Sequence, residues 1–144
     1  MKLLLDTHAF IWWDSGDARL SAAALAACKS PANSLHLSLA SVWEMQIKMQ
    51  LGKLALRLPL AEVLRDQQQR NGIVLEPVEL EDILALETLQ PLHRDPFDRL
   101  LVSQAMRRGF HLVSHARKSP AIRHPCSGDA PVESLKGRRK ERIG

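Results

Sequence analysis

Tyrosine is absent from this sequence, and aromatic residues make up only 4% of it. Leucine and alanine must therefore fill the core. Of the two cysteines, Cys28 and Cys126, neither belongs to a C-x-x-C pair, so no disulfide framework or thiolate zinc site is implied. No apolar run approaches the roughly 18–20 residues that cross a bilayer, and "MKLLLDTHAF" meets an acid too early for a secretory leader. A cytoplasmic protein without a membrane partner is expected. Internal repeats are missing, as are a glycine-rich phosphate loop and a serine–histidine–aspartate arrangement. What remains, 45% hydrophobic and 25% charged over 144 residues, is the balance of one globular domain.

The net charge of +4 suggests nucleic acid until it is mapped along the chain. Residues 1–114 carry 12 Lys/Arg against 13 Asp/Glu, and residues 115–144 carry 8 against 3. The body is near neutral and the basic character lies in the tail, so the overall charge says little about what the folded part binds.

Strand-like and helix-like stretches alternate. "KLLL" at 2–5, "LHLSL" at 35–39, "IVLEPV" at 73–78 and "FHLV" at 110–113 read as short buried strands. Helices are predicted after Asp6, over 19–30, over "ASVWEMQIKMQLGK", over 59–70, over "LEDILALETLQPL" and from Asp95 to Arg108. In the fifth of these, Leu80, Ile83, Leu84 and Leu86 lie on or near one apolar stripe. Alternation of this kind predicts an α/β fold, a parallel sheet with helices on both faces. After Ala116 neither period persists, and most of 116–144 reads as irregular, giving a domain over 1–115 and a divergent basic tail.

In such a sheet, groups just past the carboxyl ends of neighbouring strands converge on one crevice. Asp6 follows the first strand, Glu44 is expected in the first turn after the second, and Asp98 in the first turn of the helix leading into the fourth. Each also reads as a helix cap: "DTHA" with Asp6 at the N-cap, "SVWE" as an S-x-x-E capping box, "DPFD" with Asp95 as cap and Pro96 at the first helical position. Together they suggest more, because carboxylates gathered in one crevice repel unless a hard divalent cation such as Mg2+ or Mn2+ relieves them. The chemistry suggested is phosphodiester hydrolysis.

"LLLDTHAFIWW", "LSLASVWEMQIKMQLGKLAL" and "LHRDPFDRLLVSQAMRRGFHLVS" resemble, in order and over residues 1 to about 115, the PIN-domain ribonucleases, specifically the VapC-like toxins of toxin–antitoxin pairs. The resemblance implies a three-layer α/β/α sandwich and a metal-dependent endoribonuclease. It assigns Asp6, Glu44 and Asp98 as the catalytic acids. Asp6 and Asp98 would be direct metal ligands, and Glu44 would act through water. Thr7 and Ser114 match supporting hydroxyl positions, and Asp95 is cap first and outer ligand second. His8 and His93 fall in matched blocks but read as structural. Trp12, Trp13 and Trp43 read as core or dimer surface. An antitoxin, an RNA substrate and a homodimer are the implied partners.

One position departs from the pattern. The family places a fourth acid two residues after Ser114, followed by a short helix and an edge strand, whereas this chain has Ala116, and its last strand is expected to be lost or irregular. His115 should point elsewhere if strand alternation continues, and Asp129 lies too far along to substitute. Weaker metal binding and reduced turnover are expected. A slipped reading frame near codon 115 would explain both the lost acid and the Pro- and Arg-rich tail, and would predict an acid and an apolar strand in another frame. The runner-up function is therefore an impaired PIN-like module that binds antitoxin or dimerises without cutting RNA. A haloacid-dehalogenase-like phosphatase fares poorly: His8 stands where that chemistry needs a second acid.

Overall fold

A computed structural model describes residues 1–89 and 95–115, and the backbone of 122–123. Strand β1 (Lys2–Leu5) leads to helix α1 (Thr7–Ser15), then α2 (Ala22–Lys29), β2 (Ser34–Ser38), α3 (Leu39–Gln50), α4 (Leu60–Asn71), β3 (Val74–Glu76), α5 (Leu80–Leu84), α6 (Pro96–Arg108), β4 (His111–Val113) and β5 (Ile122–Arg123). The sheet runs in the order β3-β2-β1-β4-β5. The first four strands are parallel and β5 is antiparallel to β4.

The strand sequences explain the layers. In a strand, successive side chains point to opposite faces. Leu3 and Leu5 accordingly join Leu35, Leu37 and Val113 on one face, packed against Phe10 of α1, Ala24 and Cys28 of α2, Met45 of α3 and Val63 of α4. Leu4 and Leu112 face the other way, against Phe110 and against Leu101 and Ala105 of α6. Both faces are covered, which is why "LLL" is apolar throughout rather than alternating. Each fully buried leucine contributes about 1.5–3 kcal/mol. Burial also pushes the Cys28 thiol up to about 11, leaving it an unreactive core group. The expected α/β/α sandwich is thus observed, and among the described residues no helix is long and apolar enough to cross a membrane.

Chain order around β1 locates the crevice. From β1 the chain steps to β2 and β3 on one side, and it returns to β4 on the other. The carboxyl ends of β1 and β4, in register at Leu5 and Val113, therefore flank the point where strand order reverses, the place where open parallel sheets bind ligands. Asp6 is fixed there by its backbone N–H, which donates to the Val113 carbonyl at 2.9 Å.

Three expectations need correction. First, α3 is capped by Ser38, whose hydroxyl accepts from the Ala40 N–H at 3.1 Å. The helix therefore starts before Ser41, the "SVWE" box is not a cap, and Glu44 sits in the second turn rather than the first. Second, among the described residues of the helix read over 80–92, the α-helix covers Leu80–Leu84 and is followed by a 3-10 turn at Ala85–Glu87. Its stripe is not core: Leu80, Ile83 and Leu84 are exposed and Asp82 is fully buried. The side facing the protein is set by charge. Asp82 accepts from Arg108 at 2.6 Å and from Arg107, and its backbone carbonyl accepts from the Ser103 hydroxyl at 2.7 Å. Third, within the stretch read as irregular, Ile122–Arg123 forms a two-residue edge strand. His93, Ala116, Cys126 and the remainder of the tail lie outside the described residues.

Candidate active site

Asp6 is both a cap and a crevice residue, because its two carboxylate oxygens do different things. Oδ1 accepts from the Ala9 N–H at 2.7 Å, closing the first turn of α1. Oδ2 accepts from the His115 backbone N–H at 2.9 Å and pairs with His115 Nδ1 at 2.7 Å. His115 thus turns into the crevice. Strand β4 ends at Val113, and beyond it the backbone N–H and the ring Nδ1 of His115 both meet one Asp6 oxygen. The hydrogen bond with Asp6 holds the His115 imidazole above its ordinary value, against its partial burial, with Asp98 and Glu44 adding to the rise.

Glu44, almost fully buried, reaches the same place from α3. Its Oε1 accepts from the Thr7 hydroxyl at 2.6 Å, and its Oε2 pairs with Lys48 Nζ at 2.8 Å, one turn along the helix. Thr7, the residue after Asp6, therefore ties the β1–α1 junction to α3 and places the two acids beside each other. His8 stacks on His115 with ring centroids 4.4 Å apart. Burial lowers its affinity for a proton, with the neighbouring His115 and Lys48 charges acting in the same direction.

Asp98 enters from the first turn of α6. Asp95 is the cap of that helix, accepting from the Phe97 N–H at 2.8 Å, and is exposed. The Asp98 carboxyl is pushed up from 3.8 to about 6 by burial first and then by the charges of Asp95, Asp6 and Glu44, with His115 working the other way. A helix N-terminus alone would favour its ionised form. The opposite shift marks a carboxylate held among other carboxylates.

Asp6, Thr7, Glu44 and Asp98 are thus brought to one crevice, with Ser114 partly buried just after β4. Asp95 stands at its rim. As the side chains stand, no group of three or more His, Cys, Asp or Glu among the described residues is poised to hold a metal ion; Asp6 pairs with His115 and Glu44 with Lys48. The donor chemistry nevertheless fits a hard divalent cation: the carboxylates offer oxygen ligands, and Asp98 carries a charge its neighbours resist. Sequence reading missed both partners of these acids. Lys48 was legible as the fourth residue after Glu44; nothing local signals His115, whose contact spans 109 residues.

A parallel sheet with acids converging where its strand order reverses defines an acid-lined α/β domain. The chain belongs to the PIN domain family, which residues 3–118 match. It is similar to Ribonuclease VapC22 of Mycobacterium tuberculosis, with 30% identity over 124 residues, covering 85% of this chain and 93% of that protein.

Proposed function

We propose that the chain is a VapC-like toxin of a toxin–antitoxin pair, a metal-dependent endoribonuclease that hydrolyses RNA phosphodiester bonds in the cytoplasm. The observation that carries this reading is the position of Asp6, Glu44 and Asp98 around the carboxyl ends of β1 and β4, where the strand order reverses. Family membership and similarity to a protein named a ribonuclease support it. Asp6 and Asp98 would hold Mg2+ or Mn2+, with Glu44 binding through water. When bound, such a cation activates water and neutralises charge on the phosphoryl group. The chain's own part is to orient Glu44 through the Thr7 hydroxyl and Asp6 through the first turn of α1. The substrate is an RNA with an exposed single-stranded loop, where phosphates are accessible and bases unstacked. An antitoxin that covers the crevice and a second copy of the chain are the partners.

A structured RNA incubated with the purified protein should be cut in Mg2+ or Mn2+ and left intact in chelator. Cutting that persists in chelator would overturn the reading.

The second reading, a module that binds without cutting, is favoured by Ala116 and by the hold of His115 and Lys48 on the acids. It leads to a specific expectation. Restoring the acid with Ala116→Asp should tighten Mn2+ binding and raise the cleavage rate, each by about tenfold or more, as loss of a supporting ligand typically costs about 10- to 100-fold. Equal affinity and equal rates in the two proteins would show that position 116 contributes no ligand.

A further inference from the structure

We propose that Trp43, steadied by Phe97, is the platform on which the RNA substrate stacks a base beside the acidic crevice. The inference rests on the ribonuclease reading above. Trp43 is 64% exposed, the most exposed large apolar side chain among the described residues, although tryptophan is among the costliest groups to leave in water. It directly precedes Glu44 on α3, and Phe97 directly precedes Asp98 on α6. Their rings meet edge to face, with centroids 5.4 Å apart and planes at 71°. This pair bridges the two helices that carry two of the acids, and it fixes the indole while leaving most of its surface open.

Charge explains why such a platform is needed. The crevice is acidic and residues 1–114 are near neutral, with 12 basic and 13 acidic side chains. Phosphate attraction, the usual source of affinity for RNA, is therefore weak in the folded body. Stacking on an aromatic face does not depend on charge, and every base has a face to offer. The rings on the other flank are less suited: His8, Trp12 and His115 pack on one another, and Arg19 lies over Trp12 at 5.2 Å.

The test uses a fluorescein-labelled single-stranded RNA of about 12 nucleotides and a strand of equal length made of abasic ribose phosphates. Binding is measured in an Asp98→Asn background so that the probe stays intact. Adding Trp43→Ala should weaken RNA binding by roughly 10- to 100-fold without changing the salt dependence, and should leave the abasic strand unaffected. Trp43→Phe should bind within about threefold of its parent. Equal RNA binding with and without Trp43→Ala, an equal loss on the abasic strand, or a change of oligomeric mass in sedimentation would each overturn the proposal, the last by making this surface an interface between copies. If the base-dependent loss appears but the wild-type chain cuts nothing in metal, the platform stands and the ribonuclease reading falls. If the parent binds neither strand, both fall.

Discussion

Asp98→Asn should abolish RNA cleavage and, in the same protein, raise the melting temperature at pH 7.5. Loss of a proposed metal ligand is expected to lower turnover by at least about 100-fold. The gain in stability follows from the sign of the Asp98 shift. Its folded value, about 6, lies above the ordinary 3.8, so the fold favours the neutral form. That contribution is fully present below about 3.8 and is lost as pH rises through about 6. Asparagine is neutral at every pH and escapes the loss. The full shift would correspond to roughly 3 kcal/mol, and partial exposure reduces this to about 1–2 kcal/mol. The opposing benefit of a negative charge in the first turn of α6 is smaller, about 0.3–1 kcal/mol. A rise of a few degrees should therefore be seen at pH 7.5 in metal-free protein, and it should vanish near pH 3.5. Were Asp98 only a helix-stabilising acid, the variant would melt lower than wild type at neutral pH, and thermal scans at the two pH values separate the cases.

The largest loss of stability is expected far from the crevice, at Asp82. Its carboxylate is fully buried and holds Arg107 and Arg108, while one oxygen accepts the Glu79 N–H at 2.8 Å. Burial alone would raise this carboxyl, but the hydrogen bonds from Arg108, Glu79 and Arg107 hold it below its ordinary range. Asp82→Ala removes the anion and leaves two guanidinium groups with an unmade partner. Breaking a buried pair in this way costs about 3–5 kcal/mol, a large share of the roughly 5–15 kcal/mol that stabilises a domain. A fall of roughly 10–20 °C in melting temperature follows. Cleavage per folded molecule at low temperature should be unchanged, because Asp82 does not line the crevice. A loss under about 1 kcal/mol would mean the network is solvated and contributes little.

These two aspartates show what a sequence discloses and what it withholds. Asp98 was legible, because a helix start marked by Asp95 and Pro96 fixes its place and a buried strand follows. Asp6 was legible for a different reason, as the acid that ends the apolar run "LLL". Strand β1 was readable because both faces of the sheet are covered there, which makes "LLL" uniformly apolar, whereas β3 lies at the sheet edge with Val74 exposed. Asp82 was not legible. Its partners lie 25 and 26 residues away, and the apolar stripe at Leu80, Ile83 and Leu84 pointed to the opposite face of the same short helix. Long-range pairing of charges overrode the local period. His115 was missed for a related reason: alternation describes a strand only while the strand lasts, and this residue lies two positions past its end. Thr7, read as a supporting residue by resemblance, acquires a physical role as the hydroxyl that joins Asp6's turn to Glu44.

Asp6 and Asp98 are proposed to hold a divalent cation together. Titration of Mn2+ into the metal-free protein, followed by electron paramagnetic resonance of the free ion, tests this most directly. One bound ion per wild-type chain, with binding weakened by about tenfold or more in Asp6→Asn and again in Asp98→Asn, is the predicted result. Equal Mn2+ binding by all three folded proteins would contradict it.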